Sequence, residues 1–232
     1  MKLSNKILIG LFGFLFLYMI VAFTEMRLKG DLNRLDDSNS ISETVDIKSV
    51  QYLKLVDIGH RIALHGSNKP GIEIKSVSGD VLQYLKYDLE GDTLSIKSMD
   101  LEKKQALDIS IYVSKSNFKG LRVDNASLYI YDLQQESLDI QQNAGWIRVN
   151  ASNEIATINL NIQNSAYFNL QDVEVDTLNA IIDEAEVVTN EPIKIVKASM
   201  TNDSYLHLIG TSEIQIKKDE SSRLSSGRLI VH

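Results

Sequence analysis

Six aspartates between residues 124 and 183 (Asp124, Asp132, Asp139, Asp172, Asp176 and Asp183) are the side chains best suited to chemistry. Stacked acids can bind calcium through their oxygens or cleave a glycosidic bond as a carboxylate pair. Both uses require the acids to converge, and hydrolysis also needs a neighbour that holds developing charge. Here the nearby bases are chiefly Arg122 and Arg148, and the acids do not recur at one position of any local pattern. They therefore read as a solvated face. His60, His65, His207 and His232 are scattered without metal-ligand spacing. The sequence has no glycine-rich phosphate loop and no nucleophile elbow. Cysteine is absent, which excludes thiol nucleophiles, thiolate metal sites, disulfides and a lipid-modified cysteine. This reading implies no catalytic residue, no metal ligand and no cofactor; its rival is a carbohydrate-active enzyme built on a β-helix.

Binding chemistry is better represented. Leu128, Trp146, Tyr167, Val187 and Tyr205 share one place in a repeated pattern and carry the outward parity of a strand, yet all are apolar or aromatic. Stacked about 4.8 Å apart they form a strip. Within it Trp146, Tyr167 and Tyr205 are the candidate contacts for a surface glycan or another envelope protein. The alternative is that the corner bulges so that these residues flank the core, or that another segment covers them.

The elements that position these residues are a series of coils. Starts at Asn125, Asn143, Asn164, Glu184 and Asn202 each open a small polar corner followed by an alternating strand. The steps between them are 18, 21, 20 and 18 residues. Such a period, rich in strand formers and nearly free of proline, predicts an all-β parallel β-helix or solenoid with coils of about 18–21 residues. Aligned on the corner, Tyr129, Ile147, Phe168, Val188 and Leu206 form one inward column. Tyr131, Val149, Leu170, Asn190 and Leu208 form the next, with Ile130, Arg148, Asn169, Thr189 and His207 outward between them. The preceding strand places Leu121/Val123, Leu160/Ile162, Ala180/Ile182 and Ala198/Met200 alike, while Leu138/Ile140 is offset by one, as a bulge or insertion would make it. Asparagine suits the corner because it tolerates the left-handed region, and stacked amides can bond along the axis. Glu184 should interrupt that ladder. Asn125, Asn150 and Asn202 also begin Asn-x-Ser sequons, which matter only in a eukaryotic secretory route.

Composition is that of a folded protein, 44% apolar and 24% charged, and a net charge of −7 with no basic stripe argues against nucleic acid as a partner. Residues 7–23 are uncharged and follow Lys2 and Lys6, which predicts an N-terminal transmembrane helix with a cytoplasmic start and an exported remainder. A cleaved signal sequence is the competing reading, although small residues at A-x-A spacing are missing before Phe23. The chain then divides into this anchor or signal at 1–23, a polar stalk at 24–44, an opening β region at 45–117 and repeat coils at 118–232.

Where Val113-Ser114-Lys115-Ser116-Asn117-Phe118-Lys119-Gly120-Leu121 runs into Val123-Asp124-Asn125-Ala126-Ser127, the chain resembles the "putative autotransporter adhesin, head GIN domain" family. The resemblance covers residues 45–232. It implies a bacterial envelope protein with an export or membrane segment, an opening β region and coils punctuated by small-residue corners. Those family corners are Ser-Gly-Ala-Ser-like, whereas here asparagine mostly replaces glycine and Gly145 is the exception. The family brings no catalytic residues. The expected protein is thus a membrane-anchored, envelope-exposed, non-enzymatic β-solenoid for adhesion, binding or structure. A membrane-tethered regulatory or sensory partner is the other alternative, and the residues before Ile7 are too few to form its cytoplasmic domain.

Overall fold

The computed structural model describes residues 3–29, 40–97 and 107–227, with side-chain exposure described for residues 11–24 of the first stretch. The chain opens with helix α1 (Leu3–Lys29). It continues through β1 (Ile41–Asp46), β2 (Tyr52–Val56), β3 (Arg61–Ser67), β4 (Gly71–Ser76), β5 (Tyr87–Glu90), β6 (Thr93–Lys97) and β7 (Leu107–Ser114). Eleven strands follow: β8 (Gly120–Asp124), β9 (Ser127–Tyr131), β10 (Gln134–Asn143), β11 (Trp146–Val149), β12 (Glu154–Gln163), β13 (Tyr167–Leu170), β14 (Val175–Asp183), β15 (Glu186–Thr201), β16 (Tyr205–Ile209), β17 (Glu213–Lys218) and β18 (Arg223–Gly227).

One N-terminal expectation is corrected. No helix among the described residues is long and apolar enough to cross a membrane, so a single-pass anchor with a cytoplasmic start and exported remainder does not hold. Residues 30–39 of the expected stalk lie outside the described residues, as does His232.

From β8 onward the chain winds as a parallel β-solenoid. Each coil gives one strand to a back sheet (β8, β10, β12, β14, β15, β17) and one to a front sheet (β9, β11, β13, β15, β16, β18). The long β15 serves both. Period-two alternation sends Leu121, Ile140, Leu160 and Ala180 in from the back, and Leu128, Ile147, Phe168, Val187 and Leu206 in from the front. All are buried, because a coil can remove its apolar face from water only against its opposite sheet and its neighbours.

The opening region reads differently from a simple first coil. Strands β2 and β3 lie between two later coils: β2 pairs with both β6 and β8, and β3 with both β7 and β9, all parallel. After β7 the chain crosses back over this coil, with fully buried Phe118 beneath the crossing. Lys119 and Gly120 donate their amides to the Gln51 carbonyl. Antiparallel β5 closes one sheet beyond β6, and β4 and β1 close the other beyond β7, covering edges that would otherwise template another chain. A short 3-10 turn (Leu82–Tyr84) leads into β5.

Two side-chain columns differ from expectation, and corner length explains both. Three residues separate Gln163 from Tyr167 and Thr201 from Tyr205, but only two separate Asp124 from Ser127 and Asp183 from Glu186. Two also separate Asn143 from Trp146, and Asn143 pairs with Asp124 and Gln163, one place before the corner residues Asn125, Asn164, Glu184 and Asn202. The front strand therefore starts one residue later after Asn164 or Asn202 than it does after the corner residue in the Asn125 and Glu184 coils. The inward residues of those coils are Leu128 and Val187, with Tyr129 and Val188 outward. One residue changes the face of every side chain that follows. Nor is there a bulge at Leu138/Ile140: Leu138, Ile140 and Gln142 pair in register with Ile158, Leu160 and Ile162. Gln142 fills the core position that Val123 and Ile162 hold elsewhere. It is buried, with Nε2 donating to the carbonyls of Gly145 and Tyr167 at 3.1 Å each.

Candidate functional site

Outward positions of the front sheet place side chains in rows across the coils. In the first row Ser127, Trp146, Tyr167, Glu186 and Tyr205 stand in register, and the second is Tyr129, Arg148, Asn169, Val188 and His207. Of the expected strip, Trp146 and Tyr167 are adjacent and half-buried, while Tyr205 is separated from them by Glu186. Leu128 and Val187 are not part of it, since both are fully buried in the core. The strip is therefore outward-facing but interrupted.

The ring contacts of Trp146 go the other way, toward the opening coils. Trp146 meets Tyr129 edge-on at 4.7 Å, and Tyr129 stacks with Tyr131 at 6.3 Å. Tyr131 stacks on His65 at 5.0 Å, and His65 on Tyr112 at 5.4 Å. The register causes this: Tyr112, His65 and Tyr131 pair across β7, β3 and β9, one strand spacing apart. Small residues at Ala63 and Ser127 flank Tyr129 and leave its ring room to lie over the sheet.

Two guanidiniums join these rings. Arg61 lies over Tyr129 at 5.0 Å, and Arg148 over Trp146 at 4.8 Å and Tyr129 at 5.9 Å. Arg148 Nε is buried and has no hydrogen-bond partner among the described residues; the Oδ1 of its neighbour Asn169 is likewise unpartnered. The acids of the region sit at the opposite end. His65 Nδ1 lies 3.4 Å from Asp132 Oδ2. Glu73 accepts from Ser42 Oγ at 2.5 Å and Tyr112 Oη at 2.7 Å, and these bonds hold its carboxyl below the usual range. Burial pushes the Tyr131 phenol up, opposed by the charges of Arg148 and Arg61.

The aspartates do not converge. Asp124 pairs with Arg122 at 3.1 Å, Asp176 with Lys194, and Asp132 with His65. Asp139 accepts from Asn159 at 2.8 Å, and Asn159 accepts from Asn179 at 2.9 Å, a true amide ladder on the back sheet. At the corners the amides bond in pairs: Asn164 to Asn143 at 2.6 Å, Asn202 to Asp183 at 2.6 Å, and Asn125 to Asp57 at 3.1 Å. A groove near β10 and β12 is lined by Glu136, Glu154, Asp172, Glu174 and Asp176 with no basic side chain among its lining residues. Lys194, which bonds Asp176, is engaged with that carboxylate rather than free to hold developing negative charge.

Sequence reasoning placed Trp146, Tyr167 and Tyr205 on the outer face but missed Tyr112, His65, Tyr129 and Tyr131. The signal was present in Ser127-Leu128-Tyr129-Ile130-Tyr131, where alternation puts two aliphatics on one face and two tyrosines on the other. Choosing the aliphatics as the inward set would have found it.

No protein-family model and no curated protein matches the sequence. Solved structures do match in fold. A "putative adhesin" of Bacteroides fragilis aligns at 12% identity and a TM-score of 0.57, covering 82% of this chain and 97% of that one. A "putative adhesin" of Parabacteroides distasonis aligns at 10% identity and 0.50, over 83% and 98%. A "putative lipid binding protein" of the same organism aligns at 14% and 0.50, over 83% and 94%. At these identities the likeness is one of fold, an all-β solenoid.

Proposed function

We propose that this chain is a non-enzymatic binding protein of the head GIN type, an adhesin-like β-solenoid that engages a surface glycan or an envelope protein through its front sheet. In this reading residues 45–232 form the head GIN-like unit, 45–117 its opening and 118–232 its coils. The observation that carries it is the set of half-buried rings facing outward from a stack of hydrogen-bonded strands, Trp146 and Tyr167 side by side with Tyr205 two coils on. Large rings with few rotatable bonds, held on regular strands, give contact area at small entropic cost. The names of the similar structures, two of them adhesins, support the same class. The separate pairing of Asp124 with Arg122, Asp176 with Lys194 and Asp183 with Thr201 and Asn202 supports a reading without catalysis.

A screen of the full chain against arrays of glycans and envelope proteins tests this. Trp146→Ala should weaken binding of the ligand found by about 2 kcal/mol or more, with melting nearly unchanged. An array with no ligand, or a ligand held equally well after Trp146→Ala, Tyr167→Ala and Tyr205→Ala together, refutes it.

A further inference from the structure

Resting on that reading, we infer that the ligand is an acidic polysaccharide, bound where Arg61 and Arg148 lie over the rings of Tyr129 and Trp146. Each guanidinium carbon lies over an aromatic ring, Arg61 5.0 Å from the Tyr129 centroid and Arg148 4.8 Å from that of Trp146. A guanidinium over a ring keeps its planar fork of N–H donors, which matches a carboxylate or sulfate in two parallel hydrogen bonds. Neither arginine has a carboxylate partner within salt-bridge distance among the described residues, whereas Arg122 is paired with Asp124 on the opposite sheet. In a chain of net charge −7, two such cations placed either side of one tyrosine form a local site of opposite sign. Arg148 is also short of a partner in its own right, because its Nε is buried and unbonded.

The surroundings favour a sugar polymer over other anions. Half-buried Tyr167, beside Trp146 in the first row, adds ring surface suited to the apolar C–H faces of sugar rings. The rows run across consecutive coils with no deep pocket at the arginines, so an extended chain can lie along them. Nucleic acid is disfavoured by the overall negative charge and by having only two cations at the site.

The test is direct binding of the full chain to polygalacturonate, alginate, hyaluronate and heparin, with dextran, methyl-esterified pectin and polyglutamate as controls. It is read by affinity electrophoresis and by quenching of the single tryptophan. The expected result is binding to at least one acidic polysaccharide, with Trp146 quenching and weakening as salt rises. Esterified pectin and dextran should bind at least about tenfold more weakly, and Arg61→Ala and Arg148→Ala should each lose about tenfold with unchanged melting. Arg148→Lys, which keeps charge without the planar fork, should fall between wild type and Arg148→Ala. Equal binding to dextran, or binding that survives both alanine variants, overturns the inference while leaving the broader binding reading in place. Equal binding to polyglutamate, or capture of an envelope protein with no acidic glycan bound, does the same. Failure of every glycan and protein in both screens removes the two readings together.

Discussion

Gly66 lies on β3 where the corner after β9 crosses it, and the structure leaves no room there for a side chain. A Cβ at this position would stand 2.0 Å from the Asp132 carbonyl oxygen, 2.6 Å from its carbon and 3.1 Å from the Leu133 nitrogen. All three atoms are backbone, so no rotamer change relieves the contact. Asp132 is itself in the left-handed region at φ 60°, and its carboxylate faces His65. Gly66→Ala must push two coils apart by more than an ångström. Overpacking of a tight site costs about 1–3 kcal/mol, and a rigid neighbour puts this case at or above about 3 kcal/mol. Gly59→Ala is the control, because nothing lies within 4 Å of its added Cβ; it should stay within about 0.5 kcal/mol of wild type. Urea unfolding followed by Trp146 fluorescence reads both. With a slope on the order of 2–3 kcal/mol per molar urea, Gly66→Ala should lower the midpoint by about 1 M or more. Midpoints for the two variants within about 0.2 M of each other would refute the argument from close approach.

Two further outcomes follow from burial and charge. Phe168→Ala, at a fully buried ring in the front sheet, should cost about 3–5 kcal/mol in urea unfolding, whereas Asn161→Ala on the outer back face should cost within about 0.5 kcal/mol. Asp219 accepts from the amides of Asn202 and Ser222 and from Ser221 Oγ, which holds its carboxyl far below the usual range. Because its folded pKa is depressed, its contribution is present above the ordinary carboxylate value and is lost as pH falls through the folded one. The Asn202 amide should therefore remain protected from hydrogen exchange until well below pH 4; protection lost at the ordinary carboxylate value would show that the carboxylate does not hold this corner.

How legible all this was in the sequence depends on the residue. Ile147, Phe168 and Leu206 were placed inward correctly because each lies four residues after an asparagine, although Asn143 stands one place earlier in its coil than Asn164 and Asn202 do in theirs. Tyr129 and Val188 were not, since the Asn125 and Glu184 corners are one residue shorter than those of Asn164 and Asn202. An alignment on amide side chains cannot see that difference, although it reverses the faces. Gln142 escaped because a glutamine at a core position breaks the apolar pattern, and only its bonds to two carbonyls make burial tolerable. The contact of His65 with Tyr131 joins residues far apart in sequence, set by a pairing that no local period encodes. The apolar N-terminal run suggested an anchor on hydropathy alone, and no helix among the described residues is long and apolar enough for that role.

The placement of β2 and β3 between β6–β7 and β8–β9 dictates the order in which the protein can assemble. When the first coil leaves the ribosome, both of its flanks await strands that are not yet made. It cannot template growth as later coils do, and it stays exposed until Asp124 and Tyr131 have been synthesised. Closing that sandwich requires long loops and is the slow, non-local step. Beyond it each coil needs only its predecessor, so structure can propagate coil by coil toward Gly227. Mechanical extension from the C-terminus should run this in reverse, with small successive releases and then one large event as the three interlocked coils give way together.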